Sequence, residues 1–140
     1  MSVKITDNTS EVLEALKQAI ENGLEAAGVQ AEGYAVLNLE NNPRRVDTGL
    51  LRNSITHAVA GKGAAKSSYA SDDGTKSGSY SGLASGEEGK EVIIGTNVSY
   101  AGYVHDGTSR MAPNRFLANA GSKADEYKAI IQSYLEEAQV

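Results

Sequence analysis

Residues 8–41 read NTSEVLEALKQAIENGLEAAGVQAEGYAVLNLEN, and the fold turns on whether this stretch is one helix. Leu13, Leu16, Ile20, Leu24, Ala27, Ala31 and Tyr34 recur at steps of three or four, the spacing of a single helical face. Asn8 is suited to cap the first turn, with Glu11 three residues on as its capping-box partner. Gly23, Gly28 and Gly33 each cost a helix about 1 kcal/mol relative to alanine, so this one must lie against other elements along most of its length. The helix is expected to stop near Asn41-Asn42-Pro43, because the residue before a proline avoids the helical region.

Outward from this helix the pattern changes. Val46–Ile55, VDTGLLRNSI, offers Asp47 or Thr48 as the cap of one helical turn that carries Leu50 and Leu51 inward. Ile55, His57 and Val59 then alternate with small or polar residues, as in a half-buried strand. Residues 61–89 hold seven Gly and seven Ser, with Tyr69, Tyr80 and Leu83 as the large apolar groups, and read as a flexible arm, loosely two-stranded at most. Glu91–Gly95 is a second strand, and Tyr100, Tyr103, Val104 and Gly107 mark a short helix ending at Asp106-Gly107. After Pro113 one last helix is expected, with Ala120, Ala124, Tyr127, Ile131, Tyr134 and Ala138 on one face.

The sum is an α+β domain with a long N-terminal helix, a small antiparallel sheet carrying a long flexible hairpin or loop, and a C-terminal helix. Its 140 residues suit one domain. The expected parts are the helix at 8–41, turn and strand at 46–60, the arm at 61–89, a strand and tyrosine-rich motif at 90–118, and the last helix at 119–140.

Composition narrows the function. There are no cysteines, so neither disulfides nor a thiolate metal cluster holds the fold. No signal-peptide layout is visible at MSVKITDNTSE and no apolar run approaches the ~20 residues of a membrane span, so no membrane role is expected. A net charge of −5 argues against a free-standing DNA binder. The charge is also segregated: residues 11–40 hold six glutamates against Lys17, and 43–67 hold Arg44, Arg45, Arg52, Lys62 and Lys66 against Asp47. Such segments either face solvent independently or suit packing between identical copies.

No catalytic constellation stands out. His57 and His105 are the only histidines, no Gly-x-Ser-x-Gly elbow is present, and neighbours in sequence such as His105, Asp106 and Ser109 rarely form a triad. Asp72-Asp73-Gly74 reads as a turn rather than a calcium loop, and Gly61–Ser67 lacks the phosphate-loop spacing. No cofactor or metal is expected.

Two segments carry a family likeness. Val46–Ile55 resembles the V-D-T-G-x-L-R-x-S-I segment of the siphophage tail-completion, or head–tail joining, family of neck proteins. Ile94–Ala101, Tyr103–Ser109, Pro113 and Arg115-Phe116-Leu117 are similar to that family's G-T-x-V-x-Y-A-x-Y-V-E-x-G-T … P-x-x-P-F-L region, in the same order. His105-Asp106 stands where that family commonly has an acidic residue followed by an aromatic, and Arg115 and Asn119 stand where it has prolines.

The resemblance implies a non-enzymatic virion component at the head–tail interface, assembled in the host cytoplasm as a ring around the DNA channel. Its partners would be sister copies, connector or stopper proteins, tail terminator or tail tube proteins, and DNA passing without sequence readout. The motif residues are then expected at interfaces: Asp47, Thr48, Gly49, Leu50 and Arg52, with Tyr100, Tyr103, His105, Asp106, Gly107, Thr108, Arg115 and Phe116. Tyrosine and arginine are typical interface anchors, although Tyr100, Tyr103 and Phe116 also read as core. Tyr69, Tyr80 and Leu83 would be contacts of a docking arm, and Glu14, Glu21 and Glu25 a repulsive wall facing DNA. Other readings are a terminator or stopper of the same neck, a nucleic-acid module using the basic 44–66 segment, and a hydrolase built on His105-Asp106.

Overall fold

The computed structural model describes residues 2–4, 9–41 and 43–138. The expected cap at Asn8 lies outside them. Helix α1 spans Thr9–Glu40, ending where the proline demanded it. Its contact seam is a ridge of mostly small side chains spaced by four: Ala19, Gly23, Ala27, Ala31, Ala35 and Leu39, all buried. Ridges of this spacing let a neighbouring element approach closely, and α1 packs against a sheet on one side and the C-terminal helices on the other. The expected stripe is therefore displaced at its start: Leu13 is 61% exposed, because the chain's last helix ends beside Ala15 and Ala19.

Helix α2, Leu50–Ser54, is followed by β1, Thr56–Val59, which pairs antiparallel with β4, Val92–Gly95, from Thr56↔Gly95 to Val59↔Val92. The expectation of a half-buried β1 falls short, since Thr56 is buried as well as His57 and Val59. One face lies on α1. The other is covered by the base of the 61–89 excursion, where Lys66 donates its backbone N–H to Thr56 Oγ1 at 3.0 Å.

That excursion is not a disordered arm. It forms hairpin strands β2, Ser68–Ala70, and β3, Ser77–Ser79, paired from Ser68↔Ser79 to Ala70↔Ser77. Its base is closed by backbone bonds from Gly61 N–H to Ala84 O and from Ala84 N–H to Lys62 O, and Ala65 N–H reaches His57 O on the outer edge of β1. Order here comes from main-chain pairing, which composition does not report.

Helix α3, Ala101–Asp106, ends as expected at Gly107, whose φ of 81° suits glycine. The expected single C-terminal helix is two: α4, Phe116–Gly121, and α5, Ala124–Glu137. At the break Ser122 Oγ donates to Asn119 O, and the Tyr127 hydroxyl donates to Ala120 O, so the last carbonyls of α4 are satisfied by side chains. The break lets α4 close the core while α5 turns to run along α1. The inward positions of α5 are Tyr127, Ile130, Ile131, Leu135 and Ala138, whereas Ala124 and Tyr134 are exposed.

The core gathers Ala35, Leu39, Leu51, Ile55, Val98, Val104, Phe116 and Ala120. Asn114, 5% exposed, fastens it to the end of α1: its Nδ2 donates to Asn38 O, Asn41 O and Pro43 O, while Asn38 Nδ2 donates to Phe116 O. Carbonyls that a helix end leaves without partners are thus capped from 70 residues away in sequence.

Candidate functional site

The two motif segments, separated in sequence by a strand and a hairpin, meet around one cavity of about 280 Å³. The 44–52 loop supplies Arg44, Arg45, Val46 and Leu50 to its wall, and α3 with the loop after it supplies Tyr100 and Met111. Local backbone demands set the loop. Gly49 has φ 83°, a left-handed conformation that favours glycine, and serves as the residue entering α2 in place of the expected Asp47 or Thr48. Thr48 still contributes: its Oγ1 accepts the Leu50 N–H at 3.3 Å, and its carbonyl accepts the Asp72 N–H at 2.8 Å.

Several residues expected at an interface with other molecules instead latch the hairpin to the body. Arg52 donates to Asp72 Oδ1 at 2.5 Å and lies 3.8 Å from Glu40, and Asn53 Nδ2 donates to Ala70 O and Asp72 Oδ1. Gly49 is buried beneath the Asp72 carboxylate, where an added Cβ would lie 2.5 Å from Oδ1. Hydrogen bonds from Asn53 and Arg52 hold the Asp72 carboxyl below the usual carboxylate range. In the adjoining turn Asp73 accepts from the Thr75 N–H, the Thr75 hydroxyl and the Ser71 hydroxyl, which lower it to about 2.

The arm tyrosines turn inward. Tyr69 and Tyr80 have ring centroids 5.4 Å apart; Tyr80 donates its hydroxyl proton to Ser54 O at 2.5 Å, and Tyr69 donates to Asn97 Oδ1. Of the expected docking contacts Leu83 is left outside, 74% exposed.

On α3, Tyr100 and Tyr103 are 40% and 65% exposed, so these two side chains do stand on the surface. Asp47, Asp106, Thr108 and Arg115 are exposed beside them, and Leu50 is half-buried in the cavity wall. Phe116 is 0% exposed: it belongs to the core and not to an interface, as befits a large apolar ring at the start of α4. Gly107 shapes the turn, and Thr108 bridges to Met111.

Both histidines are fully engaged. His105 Nδ1 lies 2.9 Å from Asp106 Oδ1, its Nε2 accepts the Ala118 N–H, and its ring meets Phe116 edge-on. That contact, first, and then the charges of His105 and Arg115 lower Asp106 below the usual carboxylate range. His57, 3% exposed, bridges Glu25 Oε1 at 2.6 Å from Nε2 and Glu32 Oε1 at 3.3 Å from Nδ1. Neither imidazole has a hydroxyl partner. Among the described residues no group of three or more His, Cys, Asp or Glu is arranged to hold a metal ion, and no helix is long and apolar enough to cross a membrane.

The expected acidic wall is also spoken for in part. Glu14 is exposed, but Glu21 pairs with Lys62 at 3.2 Å and Glu25 with His57, because residues 21, 25 and 32 of α1 overhang the sheet. The acidic and basic segments therefore meet inside one chain through Glu21–Lys62 and Glu40–Arg52. Sequence reasoning missed Asn114 and the Glu25–His57–Glu32 bridge. The seven-residue spacing of the two glutamates, which puts both on one helix face, was the available signal for the second.

Comparison of the chain with protein-family models, with curated proteins and with solved structures found no match.

Proposed function

We propose that this chain is a structural component of a phage neck, completing the tail end and joining it to the DNA-filled head as one copy in a ring around the channel. The observation that carries the reading is the convergence of the two motif segments. Val46–Arg52 and Tyr100–Met111 wall a single cavity, and Tyr100 and Tyr103 rise exposed beside it. Large amphipathic side chains fixed on a short helix are suited to contact a partner at low entropic cost.

The chemistry of the two histidines also favours a role by shape. Each ring nitrogen already has a partner within the chain, and none of those partners is a nucleophile. A nucleic-acid role has less to work with, because Arg52 and Lys62 are neutralised by Glu40, Asp72 and Glu21.

The proposal is tested by locating the chain in intact virions with a gold-labelled antibody or a fused tag. Label concentrated at the junction of head and tail is expected. Label spread along the tail or over the capsid, or absent from virions, would overturn the proposal.

A further inference from the structure

The protein has two chemically opposed poles. At the start of α1, Glu11 and Glu14 flank the exposed Leu13, and the end of α5 brings Glu136 and Glu137 to the same region beside Ala15 and Ala19. Among the described residues none of these four carboxylates is in an ion pair. Beyond the other end of α1, which at 32 residues is about 48 Å long, lies the cavity bearing Arg44 and Arg45.

Those two arginines are oriented without being neutralised. Arg44 donates to Val46 O and Arg45 to Ala112 O and Arg44 O, all main-chain carbonyls, and among the described residues no carboxylate lies within ion-pair distance of either. Arg45 Nε is buried with no hydrogen-bond partner. An unpartnered buried donor of this kind carries a free-energy penalty that an arriving acceptor would relieve. Behind the cations the cavity is apolar, through Val46, Leu50, Tyr100 and Met111.

We propose that this arginine-rimmed cavity is the receiving half of a head-to-tail contact between copies of the chain, and that its occupant is the Leu13 knob of the next copy, with Glu11 and Glu14 meeting Arg44 and Arg45. Charge complementarity selects the occupant. The acidic pole offers an exposed apolar residue between two unpaired carboxylates, and the cavity offers an apolar floor beneath two unpaired cations. Pole and cavity are different surfaces, so the contact is heterologous and generates a ring when its rotation closes. The inference deepens the ring reading and rests on it.

Charge-swap complementation of the full chain tests it. Sedimentation velocity is run on the wild type, on Arg44→Glu, on Glu14→Arg, and on an equimolar mixture of the two variants. Like charges facing one another should weaken self-association of each variant at least about tenfold. In the mixture the contacts should be restored, because each variant's altered surface then faces its complement. Thermal melts matching the wild type would show that both variants fold, which is expected since Arg44 and Glu14 are exposed.

A second probe uses the absence of cysteine: Leu13→Cys combined with Met111→Cys should give a ladder of disulfide-linked oligomers under mild oxidation, as the two positions are too far apart to join within one copy. Self-association of Arg44→Glu equal to the wild type, a mixture that does not recover, a missing ladder, or salt-sensitive DNA retention lost with Arg44 would each overturn the inference while leaving the ring reading standing. A wild type that is monomeric at its highest soluble concentration and also within the virion would overturn both.

Discussion

Three glycines in α1 provide a stringent test of how the helix is held. By propensity alone each Gly→Ala change should stabilise the helix by about 1 kcal/mol. The structure separates them. At Gly33 an added Cβ meets nothing within 4 Å, so Gly33→Ala should deliver that full ~1 kcal/mol. At Gly28 the Cβ would lie 2.7 Å from His57 Cδ2 and 2.8 Å from Val92 Cγ2, well inside the ~3.5 Å of a relaxed carbon contact.

His57 has little room to yield, being held through one nitrogen by Glu25 and through the other by Glu32. The cost should therefore fall at the upper end of overpacking, about 3 kcal/mol, for a net loss of about 2 kcal/mol after the propensity gain. Gly23 is intermediate, with Ile131 Cα 3.0 Å away, and should come out near neutral or slightly destabilised. Urea denaturation with a common m-value reads all three. A Gly28→Ala protein as stable as the wild type, or a Gly33→Ala protein less stable, would refute the close packing of α1 on β1.

Asn114→Ala should lose about 2 kcal/mol in the same assay, because it strips three carbonyls at the end of α1 of their buried donor. Phe116→Ala should cost about 3–5 kcal/mol, whereas Tyr103→Ala, at a surface position, should stay within ~0.5 kcal/mol of the wild type yet impair head–tail joining. Asp73 is lowered to about 2 by its bonds from Thr75 and Ser71, so its contribution is fully present above the ordinary carboxylate range near 3.8 and is lost as pH falls through about 2. A carboxyl titration by NMR should place its midpoint near 2, and a midpoint near 3.8 would show that the 71–76 turn does not hold it.

The long helix, both main strands and the helix closed by Gly107 were legible because each depends on local periodicity and punctuation. The 61–89 hairpin was not, since its order rests on main-chain pairing and on Tyr69, Tyr80 and Asp72 reaching back to the body. The α4–α5 break escaped notice for a similar reason: Ser122 and Tyr127 satisfy carbonyls that a continuous helical face conceals. At the candidate site, Tyr100 and Tyr103 were rightly expected on the surface. Composition could not foretell that Arg52, Gly49, Glu21 and Glu25 would find partners within their own chain, because it carries no information about which opposite charges the fold brings together.

The joining role is measured most directly by electron microscopy of particles assembled without this chain. DNA-filled heads and finished tails of normal length, lying separate, are the expected result. Fully joined, infectious virions would contradict a joining role outright, and abnormally long tails would move the chain from joining to length termination.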